Sequence, residues 1–192
     1  GYTAGGEYTR MTGGGSYTAG IEAEHAGITS GRLGSHAENA YAVRGEYRGG
    51  ILGGSWSAGI RFDRGLTGEN VVSPAFGIRI PVSGVCRLRA RVERSFRSPT
   101  FTERYYSDPA NRGNPDLDPE RSVSAEAGLD RTFRSGDLAG TVFLVRTSRV
   151  IDWTRDAGKT VWNAVNHGTL STVGAELRGA MSLARGWRLS GG

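Results

Sequence analysis

Asp108, Asp116, Asp118 and Glu120 lie close together in the chain. Their carboxylate oxygens are the ligand type a hard cation such as calcium takes. The spacing is not that of an EF-hand loop, and Asn114, Pro115 and Pro119 between and beside them are turn formers. The group therefore reads as turn hydrogen bonding and charge pairing in preference to a metal centre. His25, His36 and His167 are scattered, without metal-ligand spacing, and read as strand or loop surface residues. Cys86 is the only cysteine, which excludes an internal disulfide and a cysteine-based metal site. Set between Val85 and Arg87, it reads as a packing residue. No constellation demands catalysis, and no cofactor is expected.

Binding chemistry is better represented. Tyr105, Tyr106, Asn111, Arg112, Trp153 and Trp162 combine aromatic surface with hydrogen-bonding groups, a mixture that can hold a bulky solute with apolar and polar parts. They fall in two polar stretches, Ser98 to Glu120 and Asp152 to Gly168.

The segments that must position them alternate in character. Leu88, Ala90 and Val92 oppose Arg89, Arg91 and Glu93, and Val123, Ala125, Ala127 and Leu129 oppose Ser124, Glu126, Gly128 and Asp130. A strand sends successive side chains to opposite faces. One face is apolar and the other charged, as in a sheet wall with hydrocarbon on one side and water on the other. Similar alternation predicts strands at Tyr2 to Thr9, Ser16 to Ala26, Asn39 to Tyr47, Ser55 to Asp63, Val71 to Ile80, Val85 to Phe96, Arg121 to Phe133, Leu138 to Ile151, Leu170 to Leu183, and Trp187 to the end. Short Gly-rich turns near Met11 to Gly15, Arg48 to Gly54, Pro81 to Gly84, Arg134 to Asp137 and Ala184 to Gly186 alternate with longer links at Gly27 to Glu38, Arg64 to Asn70, Ser98 to Glu120 and Asp152 to Gly168. Two unequal rims follow, a property of outer-membrane barrels. Tyr47, Trp56, Phe96, Phe133, Trp153 and Trp187 fall near the ends of these strands, where an interface would favour them.

Composition is consistent with that reading. The chain has 192 residues, 31 of them glycine with no collagen period, and the glycines suit a curved sheet with tight turns. The net charge of +5 comes from 24 basic and 19 acidic residues that are interspersed, so no nucleic-acid partner is expected. No apolar run approaches the roughly 18 residues of a spanning helix. That leaves a barrel open, because barrel strands need only about ten alternating residues each. A soluble antiparallel sandwich is the plainer alternative.

The central stretch narrows the choice. Phe96, Arg97, Pro99, Glu103 and Tyr105, followed by Gly113, Asn114, Pro115, Leu117, Pro119, Glu120, Ser122, Glu126 and Gly128, together resemble the barrel of a TonB-dependent outer-membrane receptor, in its vitamin B12 and siderophore branch. Asn166, Gly174 and Glu176 resemble a later strand entry of that family, and AGIRFDR with VVSPAFGIRI resembles an adjacent hairpin. One departure is Arg104, where the family usually places leucine before the tyrosine.

The resemblance implies an all-β fold, an antiparallel transmembrane β-barrel segment supplying about ten strands of a barrel of about twenty-two. It implies residence in the cell outer membrane among its lipids, and cobalamin, a ferric siderophore or haem as cargo. It also implies a TonB-type energy-coupling complex that acts through a plug. No plug domain, energy-coupling box or final strand is apparent, so residues 1–192 read as a partial barrel domain. Arg97 is expected to pair with Glu103 or Glu120 and fix the loop base, and Asn114 to satisfy turn backbone groups. Glu126 is expected to face a polar lumen with Ser122 and Ser124. The runner-up is a β-rich recognition or structural module at the cell surface without transport activity. A diffusion porin or an enzyme fits less well.

Overall fold

A computed structural model describes residues 1–65, 70–182 and 188–191. In chain order the elements are β1 (Tyr2–Thr12), β2 (Gly15–Ser30), β3 (Gly34–Ile51), β4 (Gly54–Arg64), β5 (Asn70–Ser83) and β6 (Cys86–Arg97). A short helix α1 (Phe101–Tyr105) and a two-residue β7 (Asn111–Arg112) follow. The chain continues with β8 (Glu120–Phe133), β9 (Gly136–Ser148), β10 (Ile151–Thr154), β11 (Trp162–Asn166), β12 (Thr169–Ser182) and β13 (Arg188–Gly191). Ten strands form one antiparallel sheet in the order β1-β2-β3-β4-β5-β6-β8-β9-β12-β13, open at β1 and β13. Strands β10, β11 and β7 form a separate small sheet.

The register keeps the two faces distinct across the main sheet. Leu88 is partnered by Ile80 and Leu129, Ala90 by Ile78 and Ala127, and Val92 by Phe76 and Ala125. The row through Val92 continues to Leu144 and Val173. Large apolar side chains stay exposed on this face: Val173 is 78% exposed, Leu177 66% and Ile21 63%. No second layer covers them among the described residues, as the soluble sandwich would require. An apolar area of this extent calls for apolar surroundings.

The opposite face carries ion pairs. Arg61 joins Glu22 and Asp63 at 2.7 and 2.8 Å, Arg89 reaches Asp130 at 3.1 Å, and Arg91 reaches Glu93 at 2.5 Å. Arg44 pairs with Glu7. Glu126, Ser122 and Ser124 share this face by strand parity.

One rim is closed by two-residue turns, at residues 13–14, 52–53, 84–85 and 134–135. Leu52 and Gly53 both have positive φ, 48° and 71°, as a hairpin turn matched to sheet twist requires. Tyr17, Tyr47, Trp56 and Phe76 chain together on the apolar face toward this rim, with ring centroids 4.6, 5.1 and 6.3 Å apart.

The other rim carries more structure than expected. Gly27 to Glu38 is not a long link: β2 and β3 pair continuously to Ser30 and Gly34 and turn over residues 31–33. Only Ile28 and Ala37 are apolar in this extension, and they lie on opposite faces, so it lacks the apolar alternation that marks a strand in sequence. Asp152 to Gly168 folds into the β10–β11 hairpin, and Ser98 to Glu120 contains α1 and β7. Strand β9 ends at Ser148 instead of Ile151, because Arg149 turns the chain at φ 57° and Ile151 begins β10. The expected link at Arg64 to Asn70 lies partly, and Leu183, Trp187 and the turn at Ala184 to Gly186 lie entirely, outside the described residues.

Candidate functional site

The six binding candidates lie on the long-loop rim, and the loops that hold them are built from the central motif. Arg97 ends β6 opposite Glu120, the first residue of β8. Its guanidinium reaches Glu120 at 2.7 and 3.0 Å and Glu103 at 3.0 and 3.1 Å. Such forked, charge-assisted contacts fix geometry as well as charge. Glu103 also closes a capping box: its backbone N–H donates to the Thr100 hydroxyl, and its carboxylate accepts from the Thr100 backbone N–H at 2.7 Å. Burial pushes the Glu103 carboxyl up, but Arg97 and the Thr100 groups outweigh it and hold the pKa below the usual carboxylate value. Glu120 Oε1, which takes the 2.7 Å contact from Arg97, also accepts from the Ile151 backbone N–H at 2.8 Å, which ties the second loop to the first.

A small apolar core sits beneath these loops. Leu117, Ile151 and Ala164 are buried, and Trp153 packs against them. Pro119 is fully buried and Pro99 is buried, whereas Pro115 is exposed. Asn166 stitches the core's polar edge, accepting from the Asp118 N–H at 2.8 Å and donating to the Asp118 and Arg149 carbonyls. Asn114 accepts from the Asp116 N–H at 3.0 Å. Gly113 lies against the end of α1, where an added Cβ would come within 2.9 Å of the Glu103 and Arg104 carbonyl oxygens.

The loop also grips the β2–β3 extension. Tyr105 stacks on His36 with centroids 3.6 Å apart and planes 6° from parallel. Arg104 pairs with Glu38, and Arg32 donates to the Tyr106 hydroxyl at 2.8 Å. The departure at Arg104 thus has a structural use, because this chain supplies an acid across from it. His36 belongs to a strand, as one of the two surface roles expected for it, and forms a stacking platform.

Of the four clustered acids, Asp108, Asp118 and Glu120 are each engaged by different partners. Asp108 accepts from the Ala110 and Asn111 N–H groups at 2.8 and 2.6 Å and from the Tyr106 hydroxyl, and these bonds, led by Ala110, hold its pKa down against some desolvation. Asp118 pairs with Arg149 at 3.2 Å. Among the described residues no cluster of His, Cys, Asp and Glu is arranged to hold a metal ion.

Of the six candidates, Tyr105, Tyr106, Asn111 and Trp153 are half-buried in these loop contacts, and Arg112 and Trp162 are exposed. The parallel pairing of β7 with β11 sets Asn111 beside Trp162 and Arg112 beside Asn163. Arg155 lies over the Trp162 ring, 5.1 Å from its centroid. Arg155 had no signal in the sequence, because neither periodicity nor a motif links it to Trp162. The exposed pair is therefore one indole with one guanidinium, suited to a flat, anionic or π-rich solute, whereas Arg112 falls on the other face of the pairing by strand parity.

The remaining motif residues lie in the sheet. The Ser122 hydroxyl bonds that of Thr147 at 2.8 Å, and Gly128 lies beneath Arg89, whose guanidinium would be 2.9 Å from an added Cβ. Gly174 lies under the Phe143 ring, which occupies the space a Cβ would need. Glu176 is exposed on the charged face, partnered in register by Thr141, and Phe96 is half-buried near the rim.

A family model described as TonB dependent receptor-like, beta-barrel matches residues 1–192. Among solved structures, the chain is similar to the siderophore receptor PirA from Pseudomonas aeruginosa, with a TM-score of 0.84 and 19% identity over 98% of this chain and 38% of that one. A ferric enterobactin receptor (PfeA) mutant from the same organism gives a TM-score of 0.81 and 18% identity, over 98% of this chain and 34% of that one. The FrpB iron transporter from Neisseria meningitidis gives 0.72 and 16%, over 93% and 32%. The chain thus spans about a third of the length of the solved structures it matches. No curated protein sequence matches it.

Proposed function

The chain belongs to the TonB-dependent receptor-like β-barrel family, and from that membership we propose that it is part of the wall and outer loops of an outer-membrane receptor importing a ferric siderophore. The observation that carries this reading is the two-faced sheet. The row of Val92, Leu144 and Val173 is exposed and apolar, while Arg91, Glu93 and Glu126 in the rows on either side are charged. The first meets lipid tails and the second an aqueous lumen, with the short turns toward the periplasm and the long-loop rim outside.

Cobalamin and haem belong to the wider cargo range of the reading. A ferric siderophore is preferred because similar structures include a ferric enterobactin receptor mutant in complex with enterobactin and the FrpB iron transporter. The exposed pair of Trp162 and Arg155 supports an anionic, aromatic-bearing chelate, held by stacking and charge. Import then relies on a plug and on a TonB-type energy-coupling complex. The role requires no covalent chemistry and no cofactor of this chain.

The test is uptake by a receptor-deficient bacterium expressing the full-length protein, with radiolabelled iron supplied as ferric enterobactin, haem iron and labelled cobalamin in parallel. The reading expects energy-dependent accumulation of the siderophore. Accumulation of none of the three would overturn the transport role, and accumulation of cobalamin or haem alone would overturn the cargo.

A further inference from the structure

At the long-loop end of the apolar face, the register brings two arginines together in the middle of the sheet. Arg94 on β6 and Arg146 on β9 are both partnered by Val123 on the intervening β8. Strand parity puts all three on the face of Val92, Leu144 and Val173, one step nearer the long-loop rim. Neighbouring strands lie about 4.8 Å apart, so the two arginine Cα atoms are about 10 Å apart and both guanidiniums can converge over Val123. Arg94 and Arg146 are exposed, and Val123 is 52% exposed, which leaves the group open to approach.

The charges on this face are of one sign. Among the described residues of the ten-stranded sheet, no Asp or Glu falls at an outward position; Glu22, Glu46, Asp63, Glu93, Glu126 and Asp130 all point inward. The inward Arg61, Arg89 and Arg91 have acidic partners, whereas among the described residues Arg94 and Arg146 have none. Strands β5 and β8 border Arg94, and β8 and β12 border Arg146, so neither stands on an open edge.

A cation on the lipid side is tolerated best near the headgroups, so the pair marks the upper limit of the apolar band. Two guanidiniums this close are steadied by an anion between them, and a phosphate matches their fork. Directly below them, the Val92, Leu144 and Val173 row is exposed and apolar. An occupant that meets both features is an amphiphile with an anionic head. A second copy of this chain docking through the same face would bring no acid to the pair.

We propose that Arg94 and Arg146 hold the phosphate of an anionic lipid in the leaflet beside the long-loop rim. The lipid backbone lies against Val123, and its acyl chains run down over Val92, Leu144 and Val173. The site is separate from cargo capture and rests on the membrane-spanning reading of the sheet.

For the test, the full-length receptor is reconstituted in bilayers of phosphatidylcholine with a minor share of phosphatidic acid. It is then re-extracted in mild detergent, and its retained lipid is identified by native mass spectrometry. Arg94→Gln and Arg146→Gln are made singly and together. Arg131→Gln is the control, since it removes an arginine from the same face at the short-turn rim. Wild type and control should retain phosphatidic acid in preference to phosphatidylcholine, with retention falling about tenfold or more in the double variant and less in each single one. Equal retention in all variants, or no preference for phosphatidic acid, would overturn the site. Inorganic phosphate offered to the delipidated receptor should not be retained, because it lacks the acyl contacts; retention equal to that of the lipid would overturn the lipid as occupant. A receptor dimer lost in the double variant would make a second copy the occupant instead. Wild type that inserts but carries no phosphatidic acid overturns this site alone. Wild type that fails to insert overturns the membrane reading as well.

Discussion

Arg97 and Glu120 are partners on the last rung between β6 and β8, and their side chains meet at 2.7 Å where the sheet gives way to loops. The same guanidinium takes Glu103, so one residue joins a strand end, a helix cap and, through Glu120 and Ile151, the second loop. Replacing Arg97 with Gln should leave two partly shielded carboxylates side by side. The expected loss is about 1–2 kcal/mol, discounted because Arg97 is itself partly exposed. Limited proteolysis should then cut within residues 98–119 while the ten-stranded sheet stays resistant. Unchanged cleavage would count against the role assigned to Arg97.

Acid should loosen the same loop. The Glu103 pKa lies below its ordinary value of 4.5 in the folded loop. Its contribution is therefore fully present above that ordinary value and is lost as pH falls through the depressed one. Trp153 fluorescence, which reports the loop core, should change in that acidic window. The change should shrink in Glu103→Gln, which has already lost the charge.

The grip on the β2–β3 extension tests the departure at Arg104. Arg104 and Glu38 are largely buried together, with side chains 10% and 15% exposed. Arg104→Leu should cost about 2–3 kcal/mol, because a shielded carboxylate is left without its partner. Adding Glu38→Leu should return much of that loss. A double-mutant cycle with no coupling would show that the pair does not hold the loop.

Inside the lumen face, Gly174→Val should force Phe143 from its place, costing about 1–3 kcal/mol. Phe143→Ala in the same chain should relieve the crowding. Resistance to heat-induced unfolding in detergent reads both effects.

At the rim, Trp162→Ala and Arg155→Ala should each weaken ferric siderophore binding to the full-length receptor by about tenfold without loss of folding. The double variant should lose less than the product of the two, because the ring and the guanidinium contact each other. Fluorescence titration of purified receptor checks this.

Sequence was most informative where one face is apolar. The opposition of Leu88, Ala90 and Val92 to Arg89, Arg91 and Glu93 fixed both the strand and its orientation, since burial of one face sets register. It was silent at Ile28 to His36, where polar residues dominate both faces of the hairpin and no apolar alternation forms. The pairs that shape the rim, Arg104 with Glu38 and His36 with Tyr105, join positions 66 or more residues apart through loop packing, which no local pattern encodes. The Arg97 contacts were easier to read, because Arg97, Glu103 and Glu120 recur at motif spacing. Arg155 was missed because its only signal is proximity to Trp162 in space.

The account depends most on which face of the sheet meets lipid. Nitroxide labels placed singly at Leu144, Val173, Ser124 and Glu126 of the full-length receptor, reconstituted in bilayers, report this through collision with oxygen and with a water-soluble nickel chelate. Labels at Leu144 and Val173 should collide with oxygen and be shielded from nickel, and those at Ser124 and Glu126 should show the reverse. Nickel access at Leu144 and Val173, with lipid contact at Ser124 and Glu126, would contradict it.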